Sequence, residues 1–153
     1  TVYNHFPDLR ALLGACTSHV LDRAPPLGME TFRSGRSPAA RLAQLAEAVF
    51  ARHAYLAPWM RRGWYEAELI PELAAILAPQ NHSLRRLIAA AVAPEREPTA
   101  SFVDAAFVLL SFPAWQKLTP NRSNSEAARI AGDCLADLLP RLTRPRTRKA
   151  KSK

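Results

Sequence analysis

Apolar residues along the chain recur at three- and four-residue spacing almost everywhere, which is the helical period. Leu9, Leu12, Leu13, Cys16 and Val20 form one such stripe, and Asp8 stands before it as a cap, so a helix is expected over 8–23. Pro25 and Pro26 stop it, and 24–36 reads as a loop. Ser37 caps the next helix, with Pro38 in the first helical position, and Leu42, Leu45, Ala46, Val49 and Phe50 line its inner side to about residue 56. Prolines at 58, 71 and 79 divide the next stretch of chain into short helices over 58–69 and 71–78, then a longer one over 81–93 with Leu84, Leu87, Ile88, Ala91 and Val92 inward.

After the charged connection "PEREPT" comes 100–112, apolar almost all round, with Asp104 as its single charge. Such a helix must be covered on more than one side. The last helix, 125–140, carries Ala127, Ile130, Ala131, Cys134, Leu135, Leu138 and Leu139 on one stripe. Gly132 inside it favours either close helix approach or nothing in particular. No stretch alternates as a strand would, so the expectation is an all-α fold of about seven helices.

Composition changes this picture little. At 153 residues and 48% hydrophobic, the chain is one domain with a core of its own. No apolar run is long enough for a membrane helix, and no signal peptide is recognisable. Cys16 and Cys134 both sit on apolar stripes and are expected to be buried free thiols, which fits a reducing cytoplasm.

The net charge of +8 suggests nucleic acid until it is located. Residues 141–153 hold seven of the 21 basic residues and no acid. The remainder carries 14 basic against 13 acidic residues. The basicity therefore belongs to a tail, expected to be disordered, and not to the body.

Catalytic chemistry is missing from the pattern. His5, His19, His53 and His82 have no second ligand at metal spacing, and no phosphate loop or nucleophile elbow is present. No enzyme, cofactor or metal is expected.

The front of the chain is different. "TVYNHFPDLRALLGAC" resembles the end of the helix-turn-helix unit and the following helix of TetR-like bacterial transcriptional regulators, through Thr1, Val2, Tyr3, His5, Phe6, Ala11, Leu12 and Leu13. The resemblance implies that 1–7 ends a recognition helix, that 8–140 is a helical effector-binding and dimerisation domain, and that 141–153 is a tail. It implies a cytoplasmic regulator, a repressor in the first reading, acting as a homodimer on operator DNA. Thr1 and Asn4 would meet base edges, while Tyr3 and His5 would meet phosphates. The family places a lysine early in the next helix; here Leu9 stands there, and Arg10 beside it is the candidate phosphate contact. The first two helices of that DNA-binding domain do not precede Thr1, so the isolated chain is expected to bind DNA poorly.

The expected effector is small and apolar or aromatic. Phe50, His53, Trp59, Met60, Trp64, Tyr65, Phe102 and Phe107 are the candidate pocket residues, with Gln116 as a further polar group. The dimer would form through 100–112 and 125–140, at Ala106, Leu109, Leu110, Ile130, Ala131, Cys134 and Leu138. The other reading is a helical carrier or protein-interaction module without DNA binding.

Overall fold

The computed structural model describes residues 6–145, with the side chains of Leu9, Arg62, Trp64, Tyr65 and Glu68 left aside. Within that range the chain folds into six α-helices, with a short 3-10 turn at Met29–Phe32 and one pair of very short strands. The helices are α1 (Leu9–Leu21), α2 (Pro38–Leu69), α3 (Pro71–Val92), α4 (Ala100–Leu109), α5 (Phe112–Leu118) and α6 (Asn124–Leu142). None of these is long and apolar enough to cross a membrane.

The helix starts are set locally. Asp8 accepts from the Ala11 amide at 2.7 Å, and Ser37 from the Ala40 amide at 3.2 Å, with Pro38 behind it. Ser123 and Glu126 close a reciprocal capping box on α6. Each satisfies an amide that the helix itself leaves orphaned.

Two prolines do not stop their helices, which merges four expected helices into two, and α5, in place of an expected bend after 112, brings the count among the described residues to six. Pro58 lies inside α2 and Pro79 inside α3. Both rings face solvent. Proline costs a helix interior about 3 kcal/mol, and here the apolar neighbours offset that cost. Leu56 and Ala57 are buried on one side of Pro58, and Leu84, Leu87 and Ile88 follow Pro79.

The core lies between α2, α3, α4 and α6. The expected inner stripes of α2 and α3 are buried as read, from Leu42 to Phe50 and from Leu84 to Val92. The stripe of α6 is rotated from the expected one. Its buried side is Ala127, Ala128, Ala131, Gly132, Leu135 and Leu139, while Ile130 and Leu138 are only partly covered and Cys134 is exposed. The reason is the close seam with α2. A Cβ placed on Gly132 would meet the Ala43 Cα at 3.2 Å, so small residues occupy this seam, and Ile130 and Leu138 are left at the flank.

A buried arginine joins the top of this core. Arg41 of α2 is 8% exposed. Its Nε donates to the Ala91 carbonyl at 2.6 Å, near the C-terminus of α3, and its Nη1 donates to the Gly35 carbonyl at 3.2 Å. Its Nη2 pairs with Glu95. Gly35 is required here by contact, since a Cβ on it would fall 2.6 Å from the Arg41 Cγ.

Among the described residues the departure from all-helical structure is one antiparallel strand pair. β1 (Arg96–Pro98) pairs with β2 (Thr143–Pro145), Glu97 opposite Arg144. Arg96 and Thr99 reinforce the clasp through Thr143 and the Leu142 carbonyl. Three-residue strands are too short to show alternation, which is why the sequence pattern does not reveal them. Residues 141–145 therefore belong to the fold, and the expected tail beyond them lies outside the described residues.

Candidate functional site

Between α1, α2 and α3 lies a two-lobed cleft. Its inner lobe, about 260 Å³, is walled by Val49, Arg52 and His53 of α2 and by Gln80, Asn81 and Ser83 of α3. Its outer lobe, about 600 Å³, lies under α1, between Cys16, Thr17 and Val20 on one side and Trp59, Gly63 and Leu73 on the other. Leu21, Leu56, Met60 and Leu77 line both lobes and form the neck between them.

Helical spacing explains the wall on α2. Val49, Arg52, His53, Leu56 and Met60 follow one another at three- and four-residue steps and share a face. The N-terminal half of α2 is sealed against α6, and further on the helix is covered by α3, by α5 at His53, and lightly by α1. α1 covers it lightly: none of its described side chains is buried. Leu12, Leu13 and Val20 are half-covered, and Cys16 is exposed at the lobe. The expectation that both cysteines are buried is thus corrected, because α1 and the flank of α6 are surface elements.

His53 sits where the cleft meets the core. Its Nε2 is 2.9 Å from the Leu110 carbonyl at the end of α4, and a carbonyl only accepts, so Nε2 carries the proton and donates. The rings of Phe50, Phe112 and Trp115 surround the imidazole at centroid distances of 6.2, 5.5 and 6.2 Å. Burial pushes its pKa down to about 4, the Leu110 hydrogen bond opposes that shift, and the neighbouring Arg52 charge adds to it. The neutral imidazole leaves Nδ1 as an acceptor.

The folded pKa lies below the ordinary 6.5, so the unfolded chain takes up a proton that the folded chain refuses between pH 6.5 and 4. Stability should fall as pH falls through that window and level off below it. The loss from this one group should approach roughly 3 kcal/mol at its limit. Urea midpoints at pH 7 and pH 4.5 measure it. His53→Gln keeps an N–H for Leu110 but cannot titrate, and should flatten that part of the profile. An unchanged slope in this variant would refute the assignment.

Of the expected pocket residues, His53, Trp59 and Met60 line the cleft. Three do not. Phe50 and Phe102 are fully buried in the core, where close packing leaves no room for a ligand. Phe107 lies on the α3–α4 seam with the Arg85 guanidinium 4.2 Å above its ring, and Arg85 also pairs with Asp104. Trp64 and Tyr65 are on α2, and their side chains lie outside the described residues.

The expected dimer residues also divide. Ala106, Leu110 and Ala131 are buried within the protomer and cannot meet a second copy. Leu109, Ile130 and Leu138 are partly covered, and Cys134 is accessible. Val108, 63% exposed, is the apolar residue of α4 that does face out. Of the expected DNA contacts, Arg10 is exposed on the first turn of α1, and Thr1, Tyr3, Asn4 and His5 lie outside the described residues.

Arg52, Asn81 and Ser83 were not singled out by the sequence pattern. Arg52 had a usable signal, a charge three residues after Val49 and four before Leu56, in the middle of an apolar face. Asn81 and Ser83 had none, since Pro79 suggests a break just before them.

Comparison with family models, with curated proteins and with solved structures found no match to this chain.

Proposed function

We propose that this chain is the effector-sensing body of a TetR-like transcriptional regulator, a repressor in the first instance. The observation that carries the reading is the position of the cleft. It opens beneath α1, and α1 directly follows the Thr1–Phe6 string whose residues resemble the end of a DNA-reading helix.

The proposed mechanism is a shift of populations. A ligand that fills the outer lobe contacts α1 on one side and α2 and α3 on the other. It favours whichever position of α1 gives it more contact. Because none of the described side chains of α1 is buried, it can move without opening the core. The segment before it moves with it, and in the complete regulator this alters operator affinity. A homodimer would present two such segments to two half-sites, with the second copy against the outer flank of α4 and α6 near Val108, Ile130 and Cys134.

Gly63 supplies the test. A Cβ built there meets nothing within 4 Å, so a side chain at this position starts in open space at the outer lobe. Gly63→Leu should fold at least as well as the parent, since glycine costs a helix interior about 1 kcal/mol. It should also abolish the rise in melting temperature that apolar or aromatic ligands give the parent. Binding that survives Gly63→Leu would place the ligand elsewhere. In the complete regulator the same ligand should change operator affinity. A ligand that binds the cleft and leaves operator affinity untouched would favour a helical carrier instead.

A further inference from the structure

The charge lining the cleft specifies its ligand more narrowly than its apolar walls do. Resting on the reading that the cleft holds a small molecule, we infer that this molecule is an anionic amphiphile. Its carboxylate pairs with Arg52 in the inner lobe and its hydrocarbon tail passes the neck into the outer lobe.

Arg52 is held in place but has no counter-ion among the described residues. Its Nη1 donates to the Pro25 carbonyl at 2.6 Å, which holds the guanidinium against the loop after α1. Among the described residues no carboxylate pairs with it. The contrast within the protein is direct. Arg41 pairs with Glu95, Arg85 with Asp104 and Arg129 with Asp133. Arg52 is half-buried on a cavity wall and has only a neutral carbonyl, and burial lowers its pKa from the ordinary value. A partly desolvated cation without a counter-ion is costly, and a bound carboxylate removes that cost. The planar guanidinium also suits a carboxylate, which it can hold by two parallel N–H donors.

The rest of the lining agrees. No described aspartate or glutamate lines either lobe, so nothing there favours a cationic ligand. Gln80, Asn81 and Ser83 surround the inner lobe with neutral donors and acceptors for the oxygens of a head group. The outer lobe offers mainly apolar surface from Val20, Trp59, Met60 and Leu73. Polarity is thus concentrated at one end of the cleft, with Thr17 and His19 as the polar residues of the outer lobe, and a molecule that matches it carries its charge at the inner end.

Decanoate and decanol share a tail and differ in the charge of the head, so calorimetric titration of both into the full chain tests the inference. Decanoate should bind at least about tenfold tighter, the worth of a charge-assisted hydrogen-bonded pair. Arg52→Gln should bring decanoate down to the level of decanol and leave decanol unchanged, which also shows that the variant folds. Arg52→Lys should keep most of the preference. Equal binding of the two probes to the parent would overturn the anionic head while leaving the cleft as a ligand site, and that comparison needs no variant. If neither probe binds, or if Gly63→Leu blocks neither, the cleft reading falls and the inference with it.

Discussion

Replacing Phe50 with alanine should lower the stability of the fold by about 4 kcal/mol, the larger end of what removing a buried aromatic costs. Phe50 is fully buried on α2, within the packed surface that includes Ala46, Ile88 and Leu135. Its ring is also part of the wall around His53. Alanine removes the transfer energy of the ring and leaves a cavity that four helices cannot close together. Trp59→Ala is the matching control. Trp59 is 50% exposed at the outer lobe, and among the described residues its ring meets that of Tyr55, tilted, at 5.8 Å, so its removal should cost less than about 1 kcal/mol while weakening ligand binding. Chemical denaturation of the two variants decides the matter. A mild Phe50→Ala would mean that the ring lines a space and does not fill one.

Arg41→Met should cost about 3 kcal/mol, which for a chain of this size lowers the melting temperature by roughly 6–12 °C. Methionine replaces much of the aliphatic stem, so the loss is chiefly polar. Two carbonyls are affected, Ala91 near the end of α3 and Gly35 before α2. The end of a helix carries partial negative charge, which makes the cation at Ala91 worth more than an ordinary donor. Glu95 is 45% exposed and can return to water, so its ion pair contributes little of the total. Glu95→Gln should therefore cost under about 1 kcal/mol. If the two substitutions prove equal, the ion pair and not the carbonyl contacts holds this corner.

The contrast between Arg41 and the helix caps shows what a single sequence reveals. Asp8, Ser37 and Ser123 act on amides three residues away; the first two are assigned from their neighbours in sequence, and Ser123 is not, because the expected last helix begins at 125. Arg41 acts on Ala91 and Glu95, 50 and 54 residues away, and in sequence it is one arginine among 17. The buried faces of α2 and α3 were legible because large aliphatic residues recur on them. The face of α6 was legible only in part: Ala127, Ala131, Leu135 and Leu139 are buried as expected, but a close seam selects Ala128 and Gly132 over Ile130 and Leu138, against the ranking by hydrophobicity. For the cleft, Trp59 and Met60 were found as apolar residues in an aromatic-rich stretch, and His53 as a polar group among them. Phe50 and Phe102 have the same character and differ only in what covers them, which no local pattern records.

The prolines inside α2 and α3 give the cleft a mechanical property. Proline has no N–H, so the carbonyls of Ala54 and Ala75, four residues earlier, each lack their usual partner in the helix. Pro58 stands between Leu56 and Met60, and Pro79 between Leu77 and Asn81, at the height of the neck. Both opposing walls are thus one rung short at the same level, on the side turned to water. A helix bends most cheaply at such a point. The neck can therefore yield to a wider ligand by flexing its two walls, while the halves of α2 and α3 that build the core keep their spacing. Selectivity in such a cleft would rest less on girth than on what the ligand carries at its inner end.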